Sequence, residues 1–201
     1  MTLHRRIALA LCLVSASPFA FAQMSDGTIP EAASQKADAA MDEYGKTLRE
    51  TLMAKIASDG LVAAMAFCSN EAAGIATEIG QKHGVRIGRT SHRARNPANL
   101  PDHWKREALE RFSLSVAQGK DPATLRYGDM ALGRAQIARG IAVDAACLAC
   151  HGAKESMSPE VVQELAKMYP QDLATGFKAG DLRGLMWVEI DGTPPVPVAP
   201  Q

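Results

Sequence analysis

The sequence lacks several features that would identify a function class. Its 201 residues include only 5% aromatic residues, and 22 basic side chains balance 22 acidic ones. Zero net charge gives no electrostatic footprint for nucleic acid or for an anionic membrane surface. A hydrolytic triad, a phosphate-binding glycine loop and an internal repeat are all missing. The 47% hydrophobic content still suffices for the core of one domain, and a chain with so few rings would gain from a bulky apolar cofactor.

The first 22 residues predict a cleaved export signal. Residues 4–6 are basic, residues 7–14 form an apolar run, and residues 20–22 read Ala-Phe-Ala, a small-x-small cleavage site. The run is shorter than the ~20 residues that span a bilayer. Acylation of Cys12 is the competing interpretation, but Leu11 before it is larger than the residue that such sites use. We therefore expect a periplasmic protein without a membrane span in the mature chain.

The strongest motif is Cys-Leu-Ala-Cys-His at residues 147–151. Two cysteines separated by two residues and followed by histidine are the attachment signature of a c-type haem, in which both thiols add to vinyl groups and the imidazole ligates iron. In one helical turn Cys147 and Cys150 share a face, and His151 projects over the macrocycle. A redox dithiol, half a zinc site and a structural disulfide are the alternatives, although no second cysteine pair completes a four-thiolate site. The motif predicts one covalent haem c.

Cys68 is the one cysteine that remains after removal of the leader and attachment of the haem. It lies on the apolar stripe of a predicted helix, and an unpaired thiol in an oxidising compartment needs an explanation. One interpretation is a small buried hydrophobe, which most free cysteines are. The other is a thiolate on the open face of the haem iron. The helical position alone favours the first interpretation.

Hydrophobic periodicity predicts four main helices and several short strands. The helices cover residues 34–59, 61–79 and 102–117 and a segment from residue 159 to Pro170; the strands lie at 85–90, within 123–143 and at 185–190. Residues 23–33 read as a flexible arm, residues 34–191 as one domain, and residues 192–201 as a disordered proline-rich tail.

Three arginines lie within seven residues, beside a loop that two prolines keep out of helix (Arg89, Arg93 and Arg95). A guanidinium fork matches a carboxylate, so these side chains could bind the two haem propionates; a solvated basic loop is an equally good interpretation. Three histidines with polar neighbours are expected at the surface (His83, His92 and His103). His92 is the best placed of them to act as an acid or base.

Four motifs together resemble a known family. They are R-x-S at Arg89 and Ser91, R-N-P-x-N-x-P-x-x-W-x-x-E at 95–107, C-x-x-C-H-G at 147–152 and Y-P-x-D-x-A-x-G-F-x-x-G-D-x-R-G at 169–184. The chain, over nearly all of residues 35–191, is similar to a bacterial and cyanobacterial family of c-type haem domains, long labelled a domain of unknown function. The family also occurs as the extracytoplasmic input part of sensor kinases.

The resemblance implies a PAS-like α+β fold in which helices flank a central antiparallel sheet that holds one haem. It also implies the second iron ligand, because a cysteine of the second helix in a Phe-Cys-Ser context can bind opposite the histidine. Residues 67–69 match that context. The resemblance therefore favours iron ligation by His151 and Cys68. Should Cys68 not bind, the alternative is a methionine such as Met65 or Met130, or a histidine.

These inferences predict a periplasmic monohaem c-type cytochrome. It would act as a redox or diatomic-gas sensor, or as a small electron carrier, with an electron-transfer or signalling protein as its unidentified partner. A thiolate ligand stabilises ferric iron, so the reduction potential should be low. A small peroxidase-like or nitrite-handling enzyme with an open distal site is the alternative, and the sequence assigns it no catalytic residue.

Overall fold

The computed structural model describes residues 28–192. The predicted signal peptide with Cys12, residues 23–27 of the predicted arm, and the proline-rich tail from residue 193 lie outside the described residues. The helices and strands follow in chain order: α1 (Glu31–Asn70), α2 (Ala72–His83), β1 (Arg86–Thr90), α3 (His103–Ala117), β2 (Arg126–Ala131), β3 (Arg134–Ala142), α4 (Leu148–His151), α5 (Pro159–Met168) and β4 (Leu182–Ile190).

The four strands form one antiparallel sheet in the order β1-β4-β3-β2. Val188 of β4 pairs with Ile87 on one side and with Ile137 on the other, and all three side chains are buried. The β2–β3 hairpin turns through Leu132 and Gly133, which both have positive φ, as a two-residue hairpin turn requires. The architecture is α+β with a central antiparallel sheet, consistent with the PAS-like expectation.

Helices cover both faces of the sheet. The first half of α1, together with α2, packs on one face through small side chains, among which Ala37, Ala40 and Ala135 are fully buried. Helix α3 packs on the other face through Trp104, with Leu109 and other apolar residues beside it. Alanines on the first face bring helix and sheet close together, which accounts for a core with few aromatic rings.

Helix α1 is longer than predicted. It begins at Glu31, so the last three residues of the predicted arm are helical. Gly60 has φ 82° and ψ 174°, which kinks the helix at the point where the sequence predicts a boundary. The segment Glu31–Cys68 is long and apolar enough, by length and composition, to cross a membrane. Its first half is the core helix of this domain, since Ala37, Met41 and Tyr44 are buried against the sheet.

The predicted helix over 61–79 has different bounds in the structure. It is interrupted at Glu71, and α2 continues past Gly80 to His83. Gly80 is a packing residue, because a Cβ there would lie 2.8 Å from the Val85 carbonyl oxygen. The left-handed cap is Gly84, with φ 58°.

The remaining helices and strands largely confirm the sequence prediction. The Asp102 side chain accepts a hydrogen bond from the Lys105 amide and caps α3, and Ser158 caps α5 in the same way. Strand β1 lies within the predicted segment. Strand β4 begins at Leu182, three residues earlier than predicted, because it also pairs with the end of β3.

Candidate haem site

The cysteine motif lies on a short helical segment that a carboxylate caps. A 3-10 turn, Ala145–Cys147, leads directly into α4. The Asp144 Oδ1 accepts hydrogen bonds from the amides of Ala146 and Cys147 and lies 3.3 Å from the Cys147 Sγ. Cys147 and Cys150 are both half-buried free thiols, three residues apart on one helical turn. Burial raises the pKa of each thiol.

Asp144 also connects this turn to α1. Its other carboxylate oxygen pairs with Arg49, whose hydrogen bond lowers the pKa of Asp144. Beyond the turn, Cys150 packs against Met65 of α1 and against the buried face of α5. The attachment segment is therefore fixed between α1, α5 and the loop that carries Ala174 and Phe177.

His151 has one ring nitrogen committed and one available. Its Nδ1 lies 2.7 Å from the Ala174 carbonyl oxygen, and because a carbonyl only accepts, Nδ1 must be the donor. The Nε2 lone pair is thereby left for a metal, as in metal-binding histidines generally. Burial, followed by the charges of Arg183 and Arg95, lowers the pKa of His151 to about 3. The imidazole is neutral at physiological pH, which metal ligation requires.

Arg95 is almost enclosed by protein atoms. Its Nε donates to Asp172 at 3.0 Å, and its Nη2 donates to the carbonyl oxygens of Cys150 and Ala174. The side chains of Arg95 and Asp172 are 12% and 6% exposed. Propionate binding by Arg95 stays a prediction; what the structure shows is an arginine that joins the Arg-Asn-Pro loop to the haem motif.

Arg93 likewise holds the loop that follows Asp172. It donates to the carbonyl oxygens of Leu173 and Thr175, and its guanidinium lies 3.8 Å from the centre of the Phe177 ring. The Phe177 ring in turn meets the His151 ring edge-on, at 6.3 Å. Arg93 therefore does not touch His151 itself; the Phe177 ring lies between the two side chains.

Arg183 and Phe177 belong to the site although the sequence argument assigned them no role. The Arg183 Nη1 donates to the Arg93 carbonyl oxygen, and burial with the nearby charges of Arg95 and Arg89 lowers its pKa to about 10. Both residues lie in the 169–184 motif, and membership of that motif is the sequence feature that could have identified them. Of these four arginines, Arg95 alone has an ion pair among the described residues, so the cluster attracts anionic groups.

Arg89 occupies β1 on the same face as Ile87, toward α1. It is half-buried, and the part of the chain that the structure describes offers its side chain no hydrogen bond or ion pair. Its positive charge acts on the Cys68 thiol and on His151. Arg89 is thus a cation close enough to both predicted iron ligands to act on each of them.

Cys68 lies near the C-terminal end of α1 and is exposed. Its surroundings raise the pKa of the thiol by burial, which the charges of Arg89 and Arg95 partly oppose. The two observations describe a side chain that has many protein atoms around it and that solvent still reaches. This placement contradicts the interpretation of Cys68 as a buried hydrophobe.

The alternative ligands are placed less favourably. Met65 is buried with Met157, Val161 and Leu165, and Met130 packs with the α1 side of the sheet core. Residues 28–192 contain no group of three His, Cys, Asp or Glu side chains that could hold a metal ion, so the motif lacks partners for a zinc site there.

The other three histidines of residues 28–192 have other surroundings. His83 pairs with Glu43 at 2.7 Å and is half-buried at the surface between α1 and α2. His103 is exposed, and His92 is exposed at a cleft of about 230 Å³ beside α3. A further cleft of about 560 Å³ lies between α2 and the β1 edge. Neither cleft includes Cys68 or the haem motif.

The donor set fits a covalently attached haem. Free thiols occupy the i and i+3 positions, a neutral imidazole has one nitrogen free, and an exposed thiol lies near an unpaired arginine. A haem would contribute two propionates to a site with excess positive charge.

Comparison with known proteins identifies the family of this chain. The model of the Tll0287-like family matches residues 27–191. Among solved structures, the chain is similar to the crystal structure of the cyanobacterial heme-protein Tll0287, with 25% sequence identity, a TM-score of 0.59, and coverage of 82% of this chain and 97% of that chain. No curated protein matches the chain. The family resemblance drawn from the four motifs is confirmed.

Proposed function

The chain belongs to the Tll0287-like family, and from that premise we propose that it is a periplasmic monohaem c-type cytochrome that senses redox state or a diatomic gas. The observation that carries the proposal is the state of His151, whose Nδ1 donates to Ala174 and whose Nε2 is free directly after Cys147 and Cys150. The solved relative is described as a heme-protein, which supports the same cofactor here.

Each residue of the site has a role in this proposal. Cys147 and Cys150 would form the two thioether bonds, His151 would ligate the iron, and Cys68 would supply a thiolate as a further ligand. Arg89 stabilises the negative charge of that thiolate, and the arginine cluster attracts the propionates. When bound, the haem supplies one-electron redox chemistry and an iron atom that binds diatomic ligands.

The surroundings of Cys68 favour a sensor over an electron carrier. Cys68 lies on the helical segment 61–70, which the Gly60 kink and the break at Glu71 separate from the neighbouring helices. Release of the thiolate would free this segment to move, and a partner protein could detect its position. An electron carrier needs the opposite, a ligand that stays on the iron in both redox states.

The decisive experiment compares Cys68→Ala with Met65→Leu in the matured protein. Met65→Leu is the matched control, because it removes a rival ligand from the same helix at nearly constant volume. We expect the wild type and Met65→Leu to give a low-spin ferric EPR signal with thiolate character, and Cys68→Ala to lose it. An unchanged spectrum in Cys68→Ala would exclude thiolate ligation, and a changed one in Met65→Leu would indicate a methionine ligand.

Reduction under carbon monoxide then separates the two roles. For a sensor we expect the reduced wild-type protein to lose the thiolate signature and bind carbon monoxide. A reduced protein that keeps its sixth ligand and binds no carbon monoxide would be an electron carrier. The enzyme alternative would require a high-spin resting spectrum and an acid or base group beside the iron, which His92 in its separate cleft supports poorly.

A further inference from the structure

The carbonyl group that holds His151 also accepts a second hydrogen bond. The Ala174 oxygen receives the His151 Nδ1 at 2.7 Å and the Arg95 Nη2 at 3.3 Å. Arg95 additionally reaches the Cys150 carbonyl oxygen, one residue before the histidine. One guanidinium therefore contacts both the backbone that carries His151 and the acceptor that orients its ring.

Asp172 completes this network. Its Oδ2 accepts from the Arg95 Nε at 3.0 Å, and its Oδ1 accepts from the Ala174 amide at 2.7 Å. Gly176 and Phe177, which follow on the same loop, bind the haem motif directly. The Gly176 amide donates to the Gly152 carbonyl oxygen, and the Phe177 amide donates to the His151 carbonyl oxygen. The Arg95–Asp172 pair thus fixes the position of the Ala174 carbonyl relative to His151.

Burial makes this pair specific. With side chains only 12% and 6% exposed, Arg95 and Asp172 give up hydration, and their mutual attraction offsets that loss only in good geometry. An arginine fork can serve a carboxylate and two carbonyl groups at once, whereas a lysine ammonium is a point charge. The arrangement therefore depends on the shape of the side chain as well as on its charge.

We propose that Arg95, held by Asp172, is the positioning residue of the iron ligand His151 and tunes its strength as an electron donor. The inference rests on the proposed function, in which His151 ligates haem iron. A carbonyl that also accepts from a cation attracts the Nδ1 proton less strongly. The imidazole then has less imidazolate character, which favours ferrous over ferric iron.

The chain offers a matched control in Arg93. It lies two residues away, carries the same charge and also donates to backbone carbonyls, but its acceptors are Leu173 and Thr175. Replacement of either arginine by glutamine removes one positive charge near the haem. Replacement of Arg95 alone changes the acceptor of His151.

The test measures the reduction potential and the ferric EPR g-values of the matured protein and its Arg95→Gln and Arg93→Gln variants. We expect Arg95→Gln to shift the potential to a more negative value than Arg93→Gln does, and to change the g-values, which report the orientation of the imidazole plane. Arg93→Gln should change the g-values less than Arg95→Gln does, because Arg93 reaches the His151 ring only through Phe177. Equal changes of the potential and of the g-values in the two variants would reduce the role of Arg95 to that of a nearby charge and overturn the proposal.

Arg95→Lys and Asp172→Asn keep the test decisive if Arg95→Gln does not fold. Arg95→Lys retains the charge, so a shift in its g-values larger than that of Arg93→Lys supports positioning, and equal shifts in the two lysine variants overturn it. Asp172→Asn should reproduce part of the Arg95→Lys shift. A wild-type protein without covalent haem, or a His151→Ala variant with the wild-type spectrum, would instead contradict the proposed function, and this inference with it.

Discussion

The two sides of the haem site are built differently. On the side of His151, the ligand's ring nitrogen, its backbone and the preceding carbonyl are all hydrogen-bonded to residues 95 and 172–177. On the side of Cys68, the described residues provide no hydrogen bond to the thiol, which is exposed. One predicted ligand is fixed in place, and the other is held only by the packing of its helical segment.

This difference suggests which ligand exchanges. Several hydrogen bonds fix the orientation of His151, so displacing it costs free energy. The net contribution of each hydrogen bond is about 0.5–1.5 kcal/mol. A thiolate that depends on iron and on the nearby charge of Arg89 loses little else when it leaves. The asymmetry therefore favours exchange at Cys68 while His151 stays bound, as a sensor with one movable element requires.

The largest expected effect is the loss of covalent haem in a Cys147→Ala/Cys150→Ala variant. Without either thiol no thioether bond can form, so extraction with acidified butanone should remove all haem from the polypeptide. The single variant Cys68→Ala is the control, since a ligand that is not an attachment residue should leave covalent haem at the wild-type level. Loss of covalent haem in Cys68→Ala would show that both sides of the site are needed for attachment. The His151 side and the Cys68 side would then not differ in role as proposed.

Local sequence rules account for much of the fold. Caps at Asp102 and Ser158, the kink at Gly60 and the segment of β1 were all predictable, because each depends on neighbouring residues. The start of α2 was not, because no local signal marks the break at Glu71, and Gly80 is buried against the Val85 carbonyl, where it serves packing.

The site was predictable only in part. The haem motif is contiguous, so its chemistry follows from spacing alone. The role of Arg95 is different: its acceptors lie 55 to 79 positions further along the chain, and only the folded structure brings them together. The place of Arg183 in the site was also not predictable, because its hydrogen bond to the Arg93 carbonyl oxygen forms only in the folded chain.

A smaller effect is expected from a substitution at Gly60, because the kink there sets the direction of the helical segment that carries Cys68. At φ 82° and ψ 174° an alanine is strained although no atom lies within 4 Å of its Cβ. Gly60→Ala should lower the free energy of unfolding in urea by about 1–3 kcal/mol. It should also increase the fraction of iron without thiolate character, because relief of the strain would turn the segment.

Gly74→Ala is the matched control for this prediction. Gly74 is helical, exposed and equally free of neighbours, so alanine there should stabilise the protein by about 0.5–1 kcal/mol and leave the spectrum unchanged. A Gly60→Ala protein with wild-type stability and wild-type thiolate signal would mean that the kink does not position Cys68. The Cys68 side of the site would then be less movable than its lack of hydrogen bonds implies.

The smallest effect is expected far from the iron, where Glu43 joins α1 to α2. Its carboxylate contacts Lys82 at 2.6 Å and His83 at 2.7 Å, and the Lys82 hydrogen bond in particular lowers the pKa of Glu43 below its ordinary value of 4.5. A group with a lowered pKa stabilises the fold above its ordinary pKa, and this stabilisation is lost as pH falls through the folded-state value. Glu43→Gln should therefore flatten the loss of stability below pH 4.5 in urea titrations. Because this pair belongs to the sheet-bound half of α1, the haem spectrum at neutral pH should not change; a spectrum that shifts with Glu43→Gln would show that the two halves of α1 move together.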